Sequence, residues 1–350
     1  MNMKTRQVYV GSVPIGGGAP VSIQSMTNTD TRDVDATISQ IHALEAAGCE
    51  IVRSSVYDED CAEALKRIIP AINIPIVADI HFDHRLAIAA IEAGAAKIRI
   101  NPGNIGSEAK VKELVACAKD HKTPIRIGVN GGSLDKNLLL KYGMCAEALT
   151  ESALQHVHIL EHEGFEDIII SLKSSNVPMM VKAYRLASDK TAYPLHLGVT
   201  EAGMGENAIL KSAIGIGSLL LDGIGDTMRV SLTGGVTQEI EIAKKILSAS
   251  GIRSFGAEII SCPTCGRTRV NLAEIVTKVN DALKNTKKAI KVAVMGCAVN
   301  GPGEAREADI GIAFGSINAV VFKHGEIVYS DTLPGVIDRF IADAMELANN

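Results

Sequence analysis

Eight times between residue 21 and about residue 234, a short β-branched run ends in polar residues and gives way to an Ala-rich amphipathic segment. The runs are VSIQSM at 21, EIVRSSV at 50, PIVADIHF at 75, KIRINPG at 97, PIRIGVN at 124, DIIISLKS at 167, PLHLGVT at 194 and TMRVSLTGG at 227. Between them lie stretches such as VDATISQIHALEAAG and HRLAIAAIEAGA, several closing on the Gly that ends a helix in the left-handed conformation. Eight such units predict an α/β fold whose first domain, residues 1–250, is a closed (β/α)8 TIM barrel. An open doubly wound sheet rarely needs eight consecutive parallel strands, and no GxGxxG follows the first run. One long interval, GGSLDKNLLLKYG after the fifth run, reads as a loop over the barrel mouth. The Gly-rich GSVPIGGGAP near the start lacks the GK[ST] and following helix of a phosphate loop and is discounted.

After Gly251 the pattern changes. GAEIISCPTCGRTRVNLAEIVTKVNDAL reads as strand, cysteine turn and helix, AIKVAVMGC and DIGIAFGSINAVVFKHGEIVYS as further strands, and PGVIDRFIADAMELANN as a closing helix. Residues 251–350 therefore form a smaller α+β domain, joined through SGIRSFG without a Pro- or Ser-rich tract. Hydrophobic residues make up 47% and charged residues 21%, enough apolar material for large buried cores. The formal charge of −5 comes from interspersed acids and bases, which sets aside nucleic acid and anionic membrane as main partners. MNMKTRQVYV has no apolar signal core and no run reaches the roughly 18 apolar residues of a membrane span, so a cytoplasmic protein is expected.

Seven cysteines, an odd number, do not suggest a disulfide framework. Cys49, Cys61, Cys117 and Cys145 fall in ordinary helix and strand patterns and read as inert thiols. Cys262 and Cys265 form a CxxC directly after a strand, and Cys297 follows another strand with 31 residues intervening. Two strand ends in one small domain can lie side by side, so the three thiolates could share one zinc, Cu(I) or iron–sulfur centre. A bare CxxC redox pair is the other reading. No second CxxC completes a zinc site, and the domain's one histidine, His324, sits in an apparent hairpin turn. Glu304, after the Asn-Gly-Pro-Gly turn, is the better fourth ligand.

Within the barrel runs, Arg53, Arg99, Arg126, Lys173 and Arg229 occupy the carboxyl-terminal halves, where a barrel places its active site. Such residues could point outward and pair with acids, but five unpaired charges under a coat of helices would be costly. Arginines ringing one mouth suit bidentate binding of phosphate oxygens, and a lysine adds a point charge. Asn101, Asn130, Ser174 and Ser231 could add neutral hydrogen bonds. Asp79 and His81 share a strand face, as do His196 and Gly198 ahead of Glu201. The acid/base candidates are Asp79, His81, His196 and Glu201.

QSMTNTDT, VRSSV, ADIHFD, KIRINPGN, IRIGVN, SLKSSN, HLGVTEAG, SCPTCGRT and MGCAVNGPGE together resemble the bacterial 4-hydroxy-3-methylbut-2-enyl diphosphate synthase family, in its two-domain form. The resemblance spans nearly the whole chain, with no departure at the motif positions. It implies a [4Fe-4S] cluster on Cys262, Cys265, Cys297 and Glu304, and a cation ring that holds the cyclic diphosphate of methylerythritol. It further implies a two-electron reductive ring opening at C2 with loss of water, electrons arriving singly from flavodoxin or ferredoxin. Glu304 would yield its iron to the substrate oxygen, and Glu201 would help protonate that oxygen. A homodimer in which one subunit's cluster domain caps the other's barrel is also implied.

Overall fold

A computed structural model describes residues 5–101, 105, 107–134, 136–284, 286, 288–297, 305–333 and 335–349. Two compact units emerge, one ending at Arg253 and the other beginning at Ser254.

All eight expected runs in the first unit are strands of one parallel sheet. Numbering every strand in chain order, they are β3 (Ser22–Met26), β4 (Ile51–Ser55), β5 (Ile76–Asp79), β6 (Lys97–Ile100), β7 (Ile125–Asn130), β8 (Ile168–Lys173), β9 (His196–Leu197) and β10 (Thr227–Met228). They neighbour one another in the order β8-β7-β6-β5-β4-β3-β10-β9. A parallel bridge between Ile170 and Leu195 joins β8 to β9 and closes the barrel. The last two strands are only two residues long.

Helices alternate with the strands: α1 (Val34–Ala47), α2 (Glu59–Ile68), α3 (His84–Glu92), α4 (Glu108–Asp120), α5 (Lys136–Tyr142), α6 (Ala146–His162), α7 (Val177–Lys190), α8 (Gly205–Leu221) and α9 (Val236–Ala249). Asp33, Asp58, Asp83 and Asn176 start α1, α2, α3 and α7 by accepting backbone N–H groups of the first turn. Each of these caps lies in a loop leaving the carboxyl end of a strand, so they fix the loops that frame the mouth. The stretch expected as a plain loop carries a short 3-10 turn and α5 instead.

The discounted N-terminal segment proves structural. Val8–Val10 (β1) and Val13–Ile15 (β2) form an antiparallel hairpin, too short for the alternation that marks a strand in sequence. Val8, Val10 and Ile15 pack on Ile51, Val77 and Ile169 from the barrel strands and seal the amino-terminal end with an apolar plug.

In the second unit β11 (Ala257–Ser261), β12 (Ile290–Met295) and β13 (Ile310–Phe314) run parallel, and β14 (Asn318–Lys323) and β15 (Glu326–Thr332) extend the sheet antiparallel. Helices α10 (Leu272–Leu283) and α11 (Gly335–Asn349) share one core with it, where Leu272, Val279, Val336 and Phe340 meet Val292, Val294, Ile312 and Val321. His324 lies in the β14–β15 turn with φ 48°, as its position before Gly325 suggested. Among the described residues no helix is long and apolar enough to cross a membrane.

Candidate functional site

Alternation along a strand sends residues i and i+2 to the same side, and this places the barrel's polar residues in tiers above the plug. The lower tier holds Gln24, Lys97, Arg126 and His196, all essentially inaccessible. Gln24 Oε1 accepts from Arg126 Nη1 at 3.3 Å and from Lys97 Nζ at 3.5 Å. Arg126 Nε and Nη2 and both ring nitrogens of His196 have no protein partner. Arg126 and His196 thus sit beneath the mouth. Burial first, then neighbouring cations, holds Lys97, Arg126 and His196 well below their ordinary pKa values.

Above them opens a cleft lined by Arg53, Asp79, His81, Arg99, Asn130, Ser171, Lys173, Thr200, Arg229 and Ser231. Asp79, 4% exposed, stands between two guanidinium groups, its Oδ1 3.2 Å from Arg99 Nη1 and its Oδ2 3.7 Å from Arg53 Nε. Burial alone would raise its pKa, but Arg53, Arg99 and Arg126 outweigh burial and bring it down to about 2. Asp79 is therefore a fixed anion at neutral pH. His81, more than half exposed, lies 3.4 Å through Nδ1 from Arg99 Nη1.

Arg229 is held by Glu239 of α9, with Nε to Oε2 and Nη2 to Oε1 both 3.3 Å. Met26 Sδ accepts from Arg53 Nη2 at 2.8 Å and from Arg229 Nη1 at 3.5 Å, aligning two arginines without neutralising either. Burial, then Arg53, Arg126, Arg229 and Arg99, keeps Lys173 well below the usual ammonium range. Two glycines make room for this crowding. A Cβ on Gly128 would collide with the Arg99 guanidinium, and one on Gly198 would press on the Lys173 ammonium.

The remaining sites expected from sequence divide by position. Asn130 and Ser231 reach the cleft. Asn101 is buried at the end of β6, and Ser174 Oγ accepts the Asn176 N–H at 3.1 Å at the start of the β8–α7 loop. Glu201 is exposed in the loop after β9, its backbone at φ 52° in the left-handed region that a non-glycine residue enters only at a cost. Sequence reasoning missed Gln24, Lys97, Ser171, Thr200 and Glu239. Lys97 was legible from parity, being two residues from Arg99 on the same strand. Nothing local marked Glu239.

In the second unit Ser261 of β11 pairs with Val294 of β12, so Cys262 and Cys297 leave neighbouring strand ends. Gly296 N–H donates to Cys262 Sγ at 3.2 Å. Cys265 is exposed, and its thiol is held below the ordinary range by hydrogen bonds from Arg267 backbone and side chain. These features suit thiolate ligands. Glu304 lies outside the described residues. Among the described His, Cys, Asp and Glu residues, only Glu108, His162 and Glu163 bring three donor atoms mutually within 4.8 Å. Of the other cysteines, Cys49 and Cys61 are buried, with burial pushing the Cys49 thiol up to about 12, while Cys117 and Cys145 are half-buried.

Comparison with known proteins agrees along both units. Residues 5–244 match the GcpE TIM-barrel domain, and residues 258–346 match the GcpE protein C-terminal domain. A 4-hydroxy-3-methylbut-2-en-1-yl diphosphate synthase (flavodoxin) of Clostridium perfringens is 60% identical over 94% of this chain and 95% of its own length. That of Geobacter sulfurreducens is 53% identical over 99% of each. Among solved structures, the Thermotoga maritima phospho-2-dehydro-3-deoxyheptonate aldolase covers 72% of this chain and 76% of its own, with a TM-score of 0.54 at 14% identity. The Yersinia pestis dihydropteroate synthase covers 70% and 98%, with a TM-score of 0.50 at 10% identity. Likenesses at such identity concern the barrel fold alone. With both units matched by the family's domain models and relatives above half identity over nearly the full length, the chain belongs to the GcpE family.

Proposed function

We propose that this chain reduces 2-C-methyl-D-erythritol 2,4-cyclodiphosphate to 4-hydroxy-3-methylbut-2-enyl diphosphate, the product for which its relatives are named. The observation that carries the reading is the charge imbalance of the barrel mouth. Arg53, Arg99, Lys173 and Arg229 face the cleft with Arg126 below, against the carboxylates of Asp79 and Glu239. Burial, then the neighbouring Arg229 and Arg99 against the pull of Asp79, lowers Arg53 to about 10, and a bound diphosphate supplies the missing negative charge.

In the reaction the C2–oxygen bond to the diphosphate breaks and the C3 hydroxyl leaves as water. The C2–C3 double bond forms, and two electrons and two protons are consumed. The arginines and Lys173 hold the diphosphate before and after ring opening, so the leaving oxyanion develops among fixed cations. Asp79 keeps Arg53 and Arg99 aimed into the cleft, and Gly128 and Gly198 let Arg99 and Lys173 reach it. Glu201 is our candidate proton donor to the departing oxygen, and Asp79 and His81 frame the same side of the mouth. Cys262, Cys265, Cys297 and Glu304 would hold a [4Fe-4S] cluster, which when bound supplies electrons one at a time. Flavodoxin is the electron donor in this reading, with ferredoxin as the alternative, and the active form is a homodimer.

The test is anaerobic purification with iron and sulfide analysis, followed by turnover of the cyclic diphosphate with reduced flavodoxin and sedimentation of the assembly. About four irons and four sulfides per chain with reductant-dependent product formation is the expected result. One zinc per chain, or activity without a reductant, would overturn the proposal.

A further inference from the structure

Glu239 belongs to the first turn of α9, outside the barrel wall, yet it is only 3% exposed and ends at the mouth. Its two oxygens serve three donor groups. Oε2 accepts from Ser25 Oγ at 2.9 Å and Arg229 Nε at 3.3 Å. Oε1 accepts from Leu232 N–H at 3.1 Å and Arg229 Nη2 at 3.3 Å. One carboxylate thus ties β3, the end of β10 and the loop leading to α9 to a single guanidinium. Among the described residues, Arg229 has one other hydrogen-bond partner, the weak acceptor Met26 Sδ.

From this geometry we infer that Glu239 is a positioning residue for the diphosphate subsite: it sets the orientation in which Arg229 meets the ligand, and its charge is required for that. The inference rests on the reading of the mouth as a diphosphate site. An amide cannot replace the carboxylate. Whichever way a glutamine is turned, one oxygen becomes an NH2 that faces a guanidinium N–H, so one of the two bonds to Arg229 is lost. The better orientation puts the NH2 against Ser25, whose hydroxyl can turn to accept, and leaves Arg229 hinged on its Nη2 bond alone. A carboxylate paired twice with a guanidinium is stiff, whereas a singly bonded arginine swings.

The experiment uses the full-length protein purified anaerobically, with inorganic pyrophosphate as the calorimetric probe and the cyclic diphosphate for turnover. For Glu239→Gln we expect the pyrophosphate Kd and the substrate KM to rise about tenfold, the equivalent of one charge-assisted bond, with kcat changing by less than about twofold. Arg229→Gln should weaken both at least as much, and the Arg229→Gln/Glu239→Gln pair should bind no worse than Arg229→Gln alone, because the two residues act as one unit. Ser25→Ala, which removes one donor to Oε2 and no charge, should raise KM about twofold at wild-type iron content and melting temperature.

Wild-type binding by Glu239→Gln, or losses that multiply in the double variant, would overturn the inference while leaving the diphosphate site standing. Wild-type binding by Arg229→Gln would overturn both. Should Glu239→Gln not accumulate as folded protein, Ser25→Ala decides alone, and an unchanged KM overturns the inference.

Discussion

Replacing Asp79 by Asn should destabilise the free protein and make its stability depend on a bound anion. The carboxylate lies 3.2 Å from Arg99 and 3.7 Å from Arg53. At an effective dielectric constant of about 20, each contact is worth roughly 5 kcal/mol of attraction. Burial of the carboxylate cancels more than half of that total. What survives is the fall in its pKa from 3.8 to about 2, equivalent to about 2 kcal/mol. Because Asn also leaves two buried guanidinium groups without their counter-ion, the loss should fall at about 2–4 kcal/mol. For a unit of this size that lowers the melting temperature by roughly 5–15 °C.

The sign with pH follows from the depressed pKa. The stabilisation is complete above the unfolded value of 3.8 and is lost only as pH falls through about 2. The gap between wild type and variant should therefore be constant from pH 5 to 8. Pyrophosphate replaces the missing anion, so it should raise the melting temperature of Asp79→Asn more than that of wild type. Scanning fluorimetry with and without pyrophosphate measures both. An unchanged melting temperature, or equal pyrophosphate shifts, would refute the account of Asp79 as the counter-ion of the ring.

Glu201→Gln should leave pyrophosphate affinity unchanged and lower kcat by at least about 100-fold, the lower bound for a positioned acid; calorimetry and stopped-flow turnover separate the two. Lys97→Met should raise the melting temperature at pH 7, since a buried lysine with a depressed pKa withholds stability below its unfolded value. That advantage should shrink as pH climbs toward 10, because the wild-type amine then pays no protonation difference between states. If Lys97 contributes to the field at the mouth, the same variant should bind pyrophosphate more weakly. Cys297→Ser should lose iron but bind pyrophosphate like wild type, as measured by metal analysis and calorimetry on one preparation.

The eight strands were legible because each is a β-branched run that ends in polar residues, and in four of the loops that follow a side chain, Asp33, Asp58, Asp83 or Asn176, caps the next helix. The hairpin at Val8–Ile15 was not, since its stability comes from Ile51, Val77 and Ile169, residues far away in the chain. The cation ring was legible as charges breaking apolar strands, but its depth was not. Arg99 and Arg126 are paired across β6 and β7, yet one lines the cleft and the other is tucked onto Gln24. That difference arises because Gly128 gives Arg99 an open path along the wall, a matter of side-chain room that one strand's sequence does not express. Glu239 was invisible for a similar reason. Only barrel closure brings the start of the last helix beside Ser25 of the first barrel strand, 214 residues earlier.

The hairpin beneath the barrel has a kinetic consequence. Val8, Val10 and Ile15 stopper the amino-terminal end and Gln24, Lys97, Arg126 and His196 fill the barrel above them, so the cleft is a cup that opens at the carboxyl-terminal mouth. If the mouth holds the diphosphate as proposed, reactant and product use the same doorway. On the proposed diphosphate site, each turnover then has to empty the cup before it is refilled, and the released product competes with the next molecule for the same arginines.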